Sequence, residues 1–356
     1  MTDDKRRLEA PHRRGAAVRP RRIVERTAVV AYRATTTLIG VLPVGFTRAV
    51  LSTLTQASYL LRPARRRWSN ENFGHVLGLP PDDARVRRLA LRAYREYGRY
   101  LVDLMRLPAM PPEQVGRLVG NLDAHEAEIR RIWAETPGGL IFSAAHIGSN
   151  EAIAAGVASR GLQVSVVADD SSFPELYELL RKQRATWGFN LIAWRNLREI
   201  FGVLRRREML GLLIDWGYRS DGIPVHLFDA WTTLPAGPAT LAAKTRSRIL
   251  PVAIHRNRAN VFELSWGAPI DLASGDPAEL QRATQAMADA LADAIRVAPE
   301  QWYSFKPLWP ASASESQDLE RRARIMQGGR PDPGPGRDLP RDAAAQAGAD
   351  RIEGAS

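Results

Sequence analysis

The stretch Gly139-Leu140-Ile141-Phe142-Ser143-Ala144-Ala145-His146-Ile147-Gly148-Ser149-Asn150-Glu151 decides how this chain is read. Residues 140–145 are an apolar run of strand length, and the residues after Gly148 open a helix. His146 then stands at the carboxyl end of a strand, where open α/β sheets place their ligands. Glu151 lies one helical turn further on, in position to hold the imidazole in one tautomer. A neutral histidine backed by a carboxylate is a general base for a hydroxyl.

Working outward, strands are expected at residues 140–145, 163–168, 191–194, 210–214, 249–255 and 261–266. Helices are expected between them at 151–160, 174–187, 197–207 and 237–245. Strands alternating with helices of this length predict crossover units and a largely parallel sheet. Upstream, residues 84–107 place Leu89, Ala93, Tyr97, Tyr100, Leu101 and Leu104 on one helical face. A shorter helix is expected at 122–134. Downstream, a helix at 278–295 precedes Gln301-Trp302-Tyr303, an aromatic segment expected to pack back on the core.

Three predicted strands end in polar residues: His146 after the first, Asp169-Asp170 after the second, and Asp215 after the fourth. Asp215 leads into Gly217-Tyr218-Arg219-Ser220-Asp221-Gly222. The helix after the second strand carries Arg181, Lys182 and Arg184. A parallel sheet brings its carboxyl ends to one edge. Each element also has a structural reading: the aspartates as helix caps, the cations as a solvated face, the histidine as a satisfied core residue. Their conjunction at strand ends points to an active site.

The chain has 356 residues, 45% of them hydrophobic, which is enough for a full core. Cys is absent, which excludes disulfides, thiolate zinc sites and a cysteine nucleophile. The net charge of +11 favours an anionic partner surface, and the dominance of arginine favours phosphate or carboxylate recognition. Lys5, Arg6, Arg7, Arg13, Arg14, Arg19, Arg21, Arg22 and Arg26 crowd the amino terminus against Asp3, Asp4, Glu9 and Glu25. A weakly polar segment follows, closed by Arg62, Arg65, Arg66 and Arg67. Its longest charge-free run, residues 34–47, contains Pro43 and falls short of the ~20 apolar residues of a spanning helix. The segment reads either as a helix pair covering the core or as an interfacial anchor with arginines on anionic headgroups.

The predicted organisation is a basic flexible arm (1–26), an interfacial helical membrane anchor (27–68), an α/β domain (69–311) and a disordered tail (312–356). The fold class is therefore α/β: a largely parallel central sheet flanked by helices, preceded by an amino-terminal helical membrane-associating segment. No Gly-x-Ser-x-Gly elbow, phosphate loop or dinucleotide fingerprint occurs. His-Glu-x-x-His is also missing, so no metal or bound cofactor is expected.

The His-x4-Glu box resembles the His-x4-Asp/Glu motif of the glycerolipid and lysophospholipid acyltransferase superfamily. Within it, the chain is similar to the branch of bacterial lipid A biosynthesis (lauroyl/myristoyl) acyltransferases and phosphatidylinositol mannoside acyltransferases. Further stretches match in order: Asn70-Glu71-Asn72-Phe73, Arg92 to Tyr100, Asp169, Arg184-Ala185-Thr186-Trp187-Gly188, and Leu212-Leu213-Ile214-Asp215. Pro235-Ala236-Gly237-Pro238-Ala239, Ile249-Leu250-Pro251-Val252 and Gln301-Trp302-Tyr303 complete the set. Two departures stand out. The box lacks the aromatic residues common in the lipid A branch, and Trp216-Gly217-Tyr218 replaces the Arg-Asp-Leu usual after the aspartate in the mannoside branch.

The resemblance implies acyl transfer from acyl-CoA or acyl carrier protein to a hydroxyl of a glycolipid or lysophospholipid. His146 would be the base and Glu151 its orienting acid. Arg184, with Arg181 and Lys182 nearby, would contact donor phosphate or the oxyanion, while Asp215 and Asp221 would shape the acceptor side and Asp169, where the mannoside branch has an acid, would be a further substrate-binding residue. The expected location is the cytoplasmic face of a bacterial plasma membrane, on an anionic surface. Two other readings stay open: an acyl or phosphoryl ester hydrolase on the same sheet, and a non-catalytic membrane-associated protein. Nucleic acid, suggested by net charge alone, ranks last.

Overall fold

Buried, β-rich runs at the predicted positions form the spine of the molecule. A computed structural model describes residues 18–170 and 173–328, with side chains from residue 25 onward. In chain order the elements begin with α1 (Val18–Val41), α2 (Val44–Leu61), α3 (Pro63–Leu77), α4 (Ala84–Arg106), α5 (Pro112–Gly116) and α6 (Leu122–Glu135). They continue with β1 (Leu140–Ala144), α7 (Asn150–Ala158), β2 (Val164–Ala168), α8 (Pro174–Thr186), β3 (Phe189–Ala193), α9 (Leu197–Arg205) and β4 (Met209–Leu213). A hairpin of β5 (Ile223–Leu227) and β6 (Ala230–Leu234) precedes α10 (Gly237–Thr245), β7 (Arg248–Arg256), β8 (Phe262–Trp266), α11 (Pro277–Val297) and α12 (Ala313–Met326).

The main sheet has six strands in the order β3-β2-β4-β1-β7-β8, all pairs parallel except β7 with β8. Every residue of β1 is buried, as expected of a central strand covered on both faces. One core lies on the face carrying Ile141, packed by α9, α10 and α11; the other lies on the Leu140 and Phe142 face, packed by α5, α6 and α7. The order places β4 directly beside β1, with Ala144 opposite Leu213, so the residues following these two strands emerge together.

The amino-terminal helices are mounted on this body. α2 lies along α4, where Gly98 allows the approach: a Cβ there would stand 2.6 Å from the backbone of Ser52. The contact is polar as well, with Ser52 Oγ donating to the Arg95 carbonyl (3.0 Å) and Thr55 Oγ1 to that of Tyr94 (2.6 Å). Arg48 on α2 donates to Asp103 on α4 (2.7 Å), and the other oxygen of Asp103 takes Arg256 from the end of β7. Arg256 in turn exchanges bonds with Gln301, its N–H donating to Oε1 (2.7 Å) and its carbonyl accepting from Nε2 (2.8 Å). Among the described residues no helix is long and apolar enough to cross a membrane.

Several boundaries differ from expectation. Residues 1–17 lie outside the described residues, but 18–26, assigned to the flexible arm, form the first turns of α1. The expected division at 68/69 falls within α3, which buries Ser69, Asn72 and Phe73. Residues 313–326, assigned to the tail, form α12 against the β5–β6 hairpin, burying Leu319 and Ala323. Arg322 fixes that helix by donating to the carbonyls of Ser220 and Gly222 (both 2.7 Å). Residues 329–356 lie outside the described part of the chain. Leu319→Ala is expected to destabilise the protein by about 2–5 kcal/mol in urea denaturation followed by tryptophan fluorescence. A change below ~0.5 kcal/mol would mean that α12 is not docked.

Candidate active site

The turn after β1 is built around one glycine. The Ile147 N–H donates to the Ala145 carbonyl (2.8 Å), and Gly148 adopts φ +58°. A Cβ on Gly148 would meet the Ile254 carbonyl oxygen at 2.1 Å, so no other residue fits. The turn is closed by Asn150 Nδ2 donating to the Ala145 carbonyl (2.8 Å), after which α7 begins with Glu151 in its first turn. His146 is thereby presented at the carboxyl end of β1, as the sequence reading expects.

Its partner is a different acid from the one expected. His146 Nδ1 lies 2.7 Å from Asp215 Oδ1, and the His146 backbone N–H also donates to the Asp215 carboxylate at 3.0–3.1 Å. Asp215 follows β4, the strand beside β1, and is fully buried. Trp302 Nε1 donates to its Oδ2 (2.8 Å), and Ser304 Oγ donates to its backbone carbonyl (2.9 Å). Burial raises the carboxyl pKa, but His146, by charge and by its ring and backbone hydrogen bonds, and the Trp302 N–H outweigh it and leave Asp215 below its ordinary 3.8. An ionised carboxylate accepts only, so the ring proton sits on Nδ1 and leaves the Nε2 lone pair as the basic site.

Burial pulls the imidazole pKa down. Asp215, by charge and hydrogen bond, and Glu151, by charge, raise it, and Lys306 opposes them; the net position lies above the ordinary 6.5. Lys306 sits 3.5 Å above the ring of Trp216, whose centroid is 5.6 Å from that of His146. Burial and Arg65 lower the lysine pKa, while Asp169 acts in the opposite sense.

Glu151 is turned to another group. Its Oε1 accepts from Arg184 Nη2 (3.2 Å), and its Oε2 is buried with no partner among the described residues. Arg184 is itself 5% exposed, also donates to Gln183 Oε1 (2.8 Å), and lies over Trp187. That corrects two expectations. Asp215, not Glu151, orients the imidazole, and Arg184 is engaged by Glu151 rather than presented to a phosphate. Arg181 stands apart, paired with Glu178 (2.8 Å) on the exposed side of α8, and Lys182 pairs weakly with the same glutamate. Asp221 is exposed and bound by Arg219 (2.9 Å) in the loop before β5, so it does not belong to the His146 cluster. Asp169 is close enough to act on Lys306; Asp170 keeps one buried oxygen without a partner among the described residues.

A cavity of about 430 Å³ lies against the same strand ends, lined by Ala144, Ala145, Ile147, Ile214, Met287 and Ala290 among others. It is mainly apolar and within the size range of small-molecule sites. Among the described residues no cluster of His, Asp and Glu has the arrangement of a metal site.

A family model described as bacterial lipid A biosynthesis acyltransferase matches residues 18–310. The chain belongs to that family. Curated relatives are phosphatidylinositol mannoside acyltransferases. The one from Mycobacterium tuberculosis (strain CDC 1551 / Oshkosh) is 29% identical over 320 residues, covering 86% of this chain and 96% of the relative. That from Mycolicibacterium smegmatis is 29% identical over 281 residues, covering 76% and 86% respectively.

In this acyltransferase the histidine that follows β1 is bonded to an acid that follows the neighbouring strand. Trp302, Ser304, Trp216 and Lys306 are members of the site that the sequence reading did not assign to it. Only Gln301-Trp302-Tyr303 carried a signal, as an aromatic segment packing back on the core. Asp215→Asn removes the charge that holds the imidazole pKa up. The acid limb of the acyltransferase kcat/KM profile, expected above pH 6.5 in the parent, should move to lower pH. The maximal rate should fall by ~10²-fold or more as orientation is lost. An unmoved limb would mean that the titrating base is not His146.

Proposed function

We propose that this acyltransferase moves a fatty acyl group from a thioester, acyl-CoA or acyl carrier protein, to a hydroxyl of a membrane glycolipid. The observation that carries the reading is the buried Asp215–His146 pair at the strand ends of a chain similar to phosphatidylinositol mannoside acyltransferases. His146 Nε2 takes the acceptor hydroxyl proton as the oxygen attacks the thioester carbonyl. The tetrahedral intermediate collapses with cleavage of the C–S bond, and the imidazolium returns the proton to the departing thiolate. Asp215 holds the Nδ1–H tautomer and stabilises the imidazolium. Lys306, whose positive charge acts on the ring, would offset negative charge developing on the carbonyl oxygen. No covalent acyl-enzyme is required, in keeping with a chain that has no cysteine.

The apolar cavity beside Ala145 and Ile147 is our candidate for the acyl chain. The amino-terminal helices supply the approach to the lipid. Val30, Leu38 and Val41 on α1 and Val44, Phe46, Val50 and Leu54 on α2 are exposed. So large an exposed apolar set marks an interaction surface. It suits the acyl region of a bilayer while the basic residues meet anionic headgroups. The cytoplasmic leaflet, where both thioester donors reside, is the location this reading requires.

His146→Ala is expected to lower acyl transfer from radiolabelled acyl-CoA to extracted glycolipid by ~10²–10⁴-fold with an unchanged circular dichroism spectrum. Near-parental turnover would refute the mechanism. Ala290→Phe, which narrows the cavity, should shift donor preference toward shorter acyl chains in a competition assay read by mass spectrometry. An unchanged chain-length profile would place the acyl group elsewhere. Phe46→Asp with Leu54→Asp should release the protein from sedimenting vesicles that contain phosphatidylinositol; retention would show that this face does not meet the lipid.

A further inference from the structure

Two observations beside the base remain unused by this mechanism. Glu151 Oε2 is buried and has no partner among the described residues, although its sister oxygen is held by Arg184. An ionised oxygen removed from water and left unbonded is strongly disfavoured unless a donor arrives in the functional state. Orienting His146 cannot be its purpose, because Asp215 occupies Nδ1. Nor is it a two-pronged clamp on Arg184, since one oxygen alone makes that contact.

The second observation is a wall of tyrosines. Tyr100 and Tyr303 stack with ring centroids 5.2 Å apart, and Tyr97 packs on both at 6.0 and 5.6 Å. Tyr303 sits at the base itself, its N–H donating to the His146 carbonyl (2.8 Å). The charge of Glu151 acts on both Tyr100 and His146, so carboxylate, Tyr100 and base share one neighbourhood, with the Tyr303 hydroxyl turned toward Glu96 and Asp103. The three tyrosine hydroxyls make no hydrogen bond among the described residues. Their rings are packed, but their polar tips are uncommitted. A buried acceptor, free hydroxyls and flat apolar faces are what a polyhydroxylated ring needs, since each of its hydroxyls must find a partner when water is removed.

We propose that Glu151 and Tyr100, with Tyr100 braced by the rings of Tyr97 and Tyr303, form a polyol subsite for the acceptor headgroup. A sugar hydroxyl other than the one being acylated donates to Glu151 Oε2, and the Tyr100 hydroxyl binds a neighbouring one. Glu151 is on this view a substrate-binding residue that selects sugar over simple alcohols. The proposal rests on acyl transfer to a glycolipid, and deepens it by assigning what holds the headgroup.

The test uses the full chain with acyl-CoA and two acceptors, octyl mannoside and 1-octanol, which share an alkyl tail and differ in their extra hydroxyls. The parent should favour the mannoside. Tyr100→Phe, which deletes only an unbonded hydroxyl, should raise the mannoside KM by about 3- to 10-fold. Glu151→Gln should raise it by about 10- to 100-fold, as expected for a charged acceptor. The 1-octanol KM should stay in place throughout. Tyr100→Phe should also leave the acid limb of the pH profile unmoved, whereas Glu151→Gln removes a charge that raises the His146 pKa and should move the limb to lower pH equally for both acceptors. A KM loss shared equally by both acceptors would overturn the subsite in favour of a structural role, and so would a shifted limb in Tyr100→Phe. Equilibrium dialysis of radiolabelled octyl mannoside separates the two levels of the argument. Mannoside binding that weakens in the variants, without transfer in the parent, supports the subsite and refutes the reaction. Binding equal in parent and variants refutes the subsite, leaving no more than a water molecule for Glu151 Oε2.

Discussion

A carboxylate with no exposure to solvent holds this site together. Asp215 receives the ring and backbone N–H groups of His146 and the indole N–H of Trp302. Each donor comes from a part of the chain remote in sequence, and a buried charge stripped of any of them is costly. The demand spreads outward. Ser304 ties the Asp215 backbone to the carboxyl-terminal segment, and Asn72 on α3 fastens that segment through the carbonyls of Ser304 and Lys306 and the N–H of Leu308. The direction in which the imidazole points is thus settled partly by α3, a helix distant in sequence from both strands.

The same edge balances charge finely. Two acids raise the basicity of His146 and one lysine moderates it. Glu151 is compensated on one side by Arg184, whose second contact, Gln183, also accepts from Tyr32 on α1 (3.1 Å). The amino-terminal helices and the acid of the His box are therefore linked by side chains, not merely by sequence.

The strands and helices around His146 were legible because each is a short apolar run with clear punctuation. The partner of His146 was not. Two acids stood at plausible places, and the choice depends on strand order, which puts β4 beside β1. Alternation of elements does not encode that order. Asp221 looked like part of the same patch because the β5–β6 hairpin was invisible: its turn is Phe228-Asp229, with Phe228 at φ +56°, instead of a glycine pair. Tertiary contacts hold that turn, Asp229 by His75 (2.6 Å) and Phe228 beneath Arg296. The last helix was hidden by the glycine- and proline-rich sequence beyond it. Its start, Ser312 accepting from the Glu315 N–H (3.2 Å), is nevertheless an N-cap whose Ser-x-x-Glu spacing stands in the sequence.

The shared aspartate between Arg48 and Arg256 has a mechanical implication. By bolting α2 to α4 and β7, it makes the exposed apolar helices a fixed foot and not a tethered float. On the proposed seating of that foot in a bilayer, the architecture would set the height of His146 above the lipid plane. Headgroups would then be sorted by reach: too short a stem leaves the hydroxyl below the base, too long a stem carries it past.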